Sequence, residues 1–264
     1  MKLHSISFAA LVALALVACG GGGSRVITPT QPPPVVEPPP PPPPPPVTPP
    51  TLTIKTIMAF GDSLTEGEST GQLLVPAMHN PTTPGVATSY QFKLDATLKS
   101  IYTAQVNEIK VLNFGVGGES AVGSAAKDRL QSSLAAQKPD IVLLLHGVNN
   151  VNNPETSMQV IFDAIEELIE EANKLGVKQV FVANLPPQNP TTKARAGRRI
   201  LEFNAWLPGV AVEENAILVD IHSGINTQTM LMPDGLHLNE TGNAKVAELF
   251  YAAIKAKYHQ EPAQ

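Results

Sequence analysis

From residue 52 onward the chain is expected to be an α/β protein, a three-layer α/β/α sandwich built on a five-stranded parallel sheet. Three observations predict this. Short apolar runs alternate with longer stretches whose apolar residues recur at helical spacing. One run, Ile141-Val142-Leu143-Leu144-Leu145, is apolar on both faces, as a central parallel strand must be. Strands separated by helices imply right-handed crossovers, with helices on both faces of the sheet.

In chain order, residues 53–60 carry Ile54, Ile57, Met58 and Phe60 and read as a buried first strand. Residues 87–101 place Tyr90, Phe92, Leu94 and Leu98 at near-helical spacing. Residues 109–114 form a second strand, and Asp140 precedes the third at 141–145. Residues 155–175 bring Ile161, Ile165, Leu168 and Ile169 onto one stripe, with Gly176 as the stop. Residues 180–183 and 216–219 are the fourth and fifth strands. Phe203 and Trp206 are three apart, as core residues of a helix would be. Residues 241–257 are a closing helix with Val246, Leu249, Phe250 and Ile254 on its inner side.

The segment before residue 52 is different. Of 26 prolines, 15 lie between Pro29 and Pro50. Such a stretch neither pairs in a sheet nor buries a core. It is expected to form a polyproline II rod of roughly 3.1 Å per residue. Lys2 followed by an apolar run from Ile6 to Ala18 reads as an export signal, too short to span a bilayer comfortably. Leu16-Val17-Ala18-Cys19 resembles the lipobox of bacterial lipoproteins. That resemblance implies cleavage before Cys19 and lipidation of it. The alternative is an ordinary secretory signal with an incidental cysteine. The expected organisation is a signal at 1–18, a lipid-anchored Gly/Pro-rich linker at 19–51 and a catalytic domain at 52–264. Gly20 after the cysteine resembles the outer-membrane sorting pattern. The expected location is therefore the bacterial cell envelope, with the domain periplasmic or surface-exposed.

Composition excludes other classes. A lone cysteine makes no intrachain disulfide, and no Cys/His cluster is spaced for zinc. Net charge is -5, against the clustered basic surface that nucleic acid requires. No P-loop or dinucleotide fingerprint occurs. No cofactor and no metal are expected, and the protein is expected to be a monomer.

In parallel α/β sheets the ligand lies beyond the carboxyl ends of the strands. The informative residues fall there. The first strand leads into Gly61-Asp62-Ser63-Leu64-Thr65-Glu66-Gly67 and the second into Gly115-Val116-Gly117-Gly118-Glu119-Ser120. The third leads into His146-Gly147-Val148-Asn149-Asn150. Asp234-Gly235-Leu236-His237 precedes the last helix. These four segments resemble, in order, the four signature blocks of the SGNH hydrolases, also called GDSL esterases and lipases, over residues 54–257. The G-x-S-x-G elbow of the α/β-hydrolases is absent, because position 65 is Thr. The resemblance implies a flavodoxin-like sheet and cofactor-free hydrolysis of acyl esters through an acyl-enzyme.

It also implies roles. Ser63 is the nucleophile, His237 its base, and Asp234 orients the imidazole, three residues away. Asp220, at another strand end, is the alternative orienting carboxylate. The oxyanion donors map to the backbone N–H of Ser63, the backbone N–H of Gly118 (or Gly117 by a one-residue shift) and the side-chain amide of Asn149. Asp62 is read as a structural acceptor, and His146 and His222 as hydrogen-bonded strand-end residues. The third block departs from the family's usual G-x-N-D, with Asn150 in place of Asp, which bears on the geometry of that loop.

Substrate is read less closely: a small-molecule, lipid or carbohydrate ester. Apolar Leu73 to Met78 and Met230 to Met232 flank the reacting residues, as acyl-chain contacts or as residues folded onto the core. Lys193, Arg195, Arg198 and Arg199 are expected to be a solvated helix face or a contact for anionic groups.

Overall fold

The computed structural model describes residues 48–67 and 88–262. The chain divides into two units, Met1–Pro45 and Pro46–Gln264, and the described residues all belong to the second. The export signal, Cys19, most of the proline stretch, Leu73 to Met78 and His79 lie outside the described residues. Among the described residues no helix is long and apolar enough to cross a membrane.

The elements run β1 (Thr51–Leu52), β2 (Thr56–Gly61), α1 (Ser63–Glu66), α2 (Tyr90–Ile101), β3 (Lys110–Gly115), α3 (Ser124–Gln137), β4 (Ile141–Leu145), α4 (Val148–Asn152), α5 (Met158–Lys174), β5 (Gln179–Ala183), α6 (Ala194–Glu213), β6 (Ile217–Val219), α7 (Glu240–Tyr258) and β7 (His259–Gln260). Five strands form one parallel sheet in the order β3-β2-β4-β5-β6. The order reverses at β2, so the ends of β2, β3 and β4 open into one crevice, the topological switch point. Right-handed crossovers put α2 on one face, where it packs on α7, and α3, α5 and α6 on the other.

The expected strands all form, and β4 is buried along its whole length. α5 ends at Lys174, just before Gly176. Ser89, Ser157 and Asn239 cap α2, α5 and α7 with side-chain oxygens, satisfying N–H groups that a first turn leaves unpaired. Phe203 is buried on α6, and Trp206 stacks on Phe162 at 4.4 Å between ring centroids. α3, which the sequence reading does not assign, has only Ala126, Leu130, Ser133 and Leu134 facing inward. So narrow a stripe of mostly small residues carries little periodic signal.

The two ends of the domain meet. β1 pairs antiparallel with β7, and the Gln105 side chain accepts from Leu52 N–H and donates to its carbonyl. The basic cluster divides. Arg195 and Arg198 are exposed, but Arg199 turns inward and donates to the carbonyls of Val151 (2.8 Å) and Thr156 (2.6 Å). Arg199 therefore holds the C-terminal end of α4 and is not part of the solvated face expected of it.

Candidate active site

Asp62, fully buried, closes β2 and caps α1. Its Oδ1 accepts from Leu64 N–H at 3.1 Å, and its Oδ2 accepts from Gly147 and Val148 N–H at 3.0 Å each. One carboxylate thus joins the turn carrying Ser63 to the loop carrying Asn149, the structural role expected of it. Thr65, the residue that breaks the elbow pattern, donates its hydroxyl to Leu145 O at 3.0 Å and fixes the same turn to the end of β4.

β3 brings the second loop against this turn. A Cβ added to Gly115 would lie 2.0 Å from Glu66 N and 2.4 Å from Thr65 C, both backbone atoms of α1. Only glycine allows that approach. Gly115→Ala is expected to destabilise the fold by about 1–3 kcal/mol through overpacking, read as a lower urea midpoint at unchanged m-value. Full stability in that variant would show that α1 yields freely.

Ser63 is 4% exposed. Its Oγ lies 2.9 Å from His237 Nε2, and His237 Nδ1 lies 2.5 Å from Asp234 Oδ2. A carboxylate only accepts, so Nδ1 carries the proton and Nε2 is left to accept from the serine hydroxyl. Asp234 is itself held: Oδ1 accepts from Leu236 N–H (2.9 Å) and His237 N–H (3.1 Å). Part-burial pushes its carboxyl up, but these bonds together with the His237 ring outweigh that and hold the pKa below the usual aspartate range. The supporting loop is a tight hairpin, with Met232 N–H on His237 O, Gly235 N–H on Met232 O and Leu231 bridged to Leu238. Met230 and Leu231 pack on the core, the second of the two readings given for that loop.

Asp220 lies elsewhere. It accepts from Asn184 Nδ2 at 2.7 Å and from Ser223 Oγ at 2.6 Å. His222 Nδ1 lies 2.9 Å from Leu185 O and 3.0 Å from Asn204 Nδ2, a strand-end arrangement.

The three expected donor groups stand after the ends of β2, β3 and β4. Leu64, Thr65 and Glu66 spend their N–H groups on Asp62, and among the described residues no acceptor meets that of Ser63. Gly118 sits at φ +76°, with nothing within 4 Å of where a Cβ would stand, whereas Gly117 has no such backbone. One Asn149 amide hydrogen goes to Glu119 O at 2.9 Å, which leaves the second available. Asn150 accepts from Ala121 N–H (2.9 Å) and donates to Ser120 Oγ (2.8 Å). The amide replaces the family's usual carboxylate with the loop still tied, because the Ser120 hydroxyl accepts as readily as it donates.

The family model for GDSL-like lipases and acylhydrolases matches residues 59–245. The chain belongs to that family. It is an ester-cleaving hydrolase. Solved structures agree with the fold. A lipase/acylhydrolase from Enterococcus faecalis is 20% identical, with a TM-score of 0.63, over 80% of this chain and 100% of its own. Axe2, an acetylxylan esterase from Geobacillus stearothermophilus, is 21% identical with a TM-score of 0.62, over 77% of this chain and 94% of its own. Catalytic mutants of Axe2 replace a serine, an aspartate and a histidine three residues beyond that aspartate. No curated protein sequence matches the chain.

Beneath the site of this GDSL-family hydrolase lies a charged group that sequence reading does not assemble. His146, wholly buried, sets Nε2 3.0 Å from Glu119 Oε2 and Nδ1 3.4 Å from Asp62 Oδ2. Burial opposes the imidazolium, but the two carboxylates outweigh it and raise the pKa above the usual histidine value. Burial likewise pushes the Glu119 carboxyl up, and the bonds from His146 and Arg129 more than reverse it. The raised histidine contributes stability that is complete below about pH 6.5, its unfolded value, and lost as pH rises through its folded value. The lowered glutamate contributes stability above about pH 4.3, lost as pH falls through its folded value. The urea midpoint is therefore expected to fall on both sides. His146→Gln should remove the alkaline fall, and an unchanged alkaline limb would exclude His146 as its source.

Away from this centre, Glu166, Glu170 and Glu214 bring carboxylates within 4.8 Å of one another, half-exposed on α5 and at the end of α6. Burial first, then the neighbouring carboxylates, push the Glu166 carboxyl up.

Proposed function

We propose that this hydrolase is a monomeric serine esterase that cleaves carboxylic esters through an acyl-enzyme, anchored in the bacterial cell envelope by a lipid on Cys19. The observation that carries the reading is the hydrogen-bonded chain Ser63–His237–Asp234. Ser63 Oγ attacks the ester carbonyl carbon as its proton passes to His237 Nε2. Asp234 stabilises the imidazolium without taking the proton. The carbonyl oxygen becomes an oxyanion, met by the N–H groups of Ser63 and Gly118 and the Asn149 amide. Collapse expels the alcohol, protonated by His237, and water then releases the acid by the same steps in reverse order. The serine, aspartate and histidine of the Axe2 catalytic mutants, with the same three-residue spacing of Asp and His, support these roles.

A second reading, release of acetyl groups from a polysaccharide by the same residues, is favoured by the likeness to an acetylxylan esterase. The full chain, purified in detergent, decides between them when assayed beside Ser63→Ala. A p-nitrophenyl series from acetate upward should be hydrolysed in a Ser63-dependent manner. Preference for acetate together with acetate release from acetylated xylan favours the second reading, and no Ser63-dependent hydrolysis at any chain length sinks both. For the anchor, Cys19→Ala should leave the membrane fraction, because lipid chains hold a protein by about 0.8 kcal/mol per buried CH2. Retention of that variant in membranes counts against a lipid on Cys19.

A further inference from the structure

We propose that Arg129, Glu119 and His146 form a positioning device for the oxyanion hole, acting through the backbone of the three loops that supply its donors. The proposal rests on the esterase reading of Ser63 and extends it to residues that touch no substrate.

The geometry is specific. Arg129, on α3, donates Nε to Glu119 Oε1 at 2.7 Å and Nη2 to Glu119 Oε2. Its Nη1 reaches Phe114 O at 2.7 Å and its Nη2 reaches Gly61 O at 3.2 Å, near the ends of the two strands that lead to Gly118 and Ser63. The guanidinium also lies 3.9 Å from the centre of the Phe60 ring. Glu119 passes the connection to His146 Nε2, at the end of β4. Glu119 and His146, with Asp62 beside His146, lie close in sequence to the three donors. Asp62 precedes Ser63, Glu119 follows Gly118, and His146 stands three residues before Asn149. The Glu119 carbonyl is also the acceptor that holds the Asn149 amide.

Stability alone does not explain such a group. Well-packed apolar residues often stabilise a core as well as a buried ion pair does. The placement of the charged groups does explain it. Gly118, with no side chain and nothing within 4 Å of where one would begin, takes its direction from the residues that flank it. The anchored Glu119 side chain is the restraint on one side. Donors set before the reaction need no reorganisation when charge develops, and small displacements are costly.

The test uses the full chain in detergent with p-nitrophenyl acetate. Wild type and Ser63→Ala are compared first, and activity independent of Ser63 would refute the esterase reading itself. Given Ser63-dependent activity, Glu119→Gln is expected to lower kcat at least tenfold with KM within twofold, as loss of transition-state binding requires. Arg129→Lys should fall between wild type and Arg129→Met, because lysine keeps the charge but cannot fork. Leu130→Ala, a buried neighbour on α3, is the stability control and should lower Tm at least as far with kcat within twofold. If Glu119→Gln keeps kcat within twofold, the proposal is overturned. It is equally overturned if Glu119→Gln and Leu130→Ala lose kcat by the same factor at matched Tm.

Discussion

Ser63→Ala is expected to lower kcat by about 10^6, with His237→Ala equal to it and the double variant no worse than either. The equality follows from the geometry. The serine hydroxyl is a nucleophile only while His237 Nε2, 2.9 Å away, accepts its proton, so removing either member removes one function. Asp234→Ala should cost less, about 10^4, because the imidazole remains a base after losing its orientation. Steady-state rates at saturating p-nitrophenyl acetate check this series. Additive losses in the double variant would mean that Ser63 and His237 act in separate steps. None of the three should lower Tm greatly, since the site residues contribute little to the core.

Asn149→Ala is expected to lower kcat by about 10^2 to 10^3, the loss typical of one missing oxyanion donor. Its structural cost is separable. The lost bond to Glu119 O is a single, half-exposed hydrogen bond, worth about 1 kcal/mol. A thousandfold fall in kcat at nearly constant Tm would identify the amide as a donor to the transition state. A fall that follows Tm would reduce it to a loop fastener. Asn150→Asp provides the contrast. The carboxylate still accepts from Ala121 N–H, and the Ser120 hydroxyl turns to donate to it. Its kcat should stay within the same order as wild type.

The residues that sequence reading missed share a reason. The four blocks are legible because chemistry and backbone geometry concentrate special residues in short segments: Gly61 to Ser63, Gly118, Asn149, and Asp234 with His237. Arg129 stands in an otherwise small and polar helical stretch, ten residues from Glu119, with no pattern to mark it. Glu119 was in view beside Gly118, and its place in the second block was the available signal. Arg199 illustrates the same limit, grouped by sequence with three other cations and turned by the fold onto the end of α4.

By itself the sequence determined the α/β class, the five strands and the order in which the reactive residues appear. Apolar periodicity and strand-end turns are local properties that a linear chain displays directly. Tertiary structure alone decided how Asn150 replaces the family's usual acid, and that Arg129, Glu119, His146 and Asp62 come together at the ends of β2, β3 and β4. Those outcomes depend on partners brought together across the sheet, 174 residues apart for Ser63 and His237 and 27 for Glu119 and His146. Pairing at that range is set by strand order and register, which no short stretch of sequence encodes.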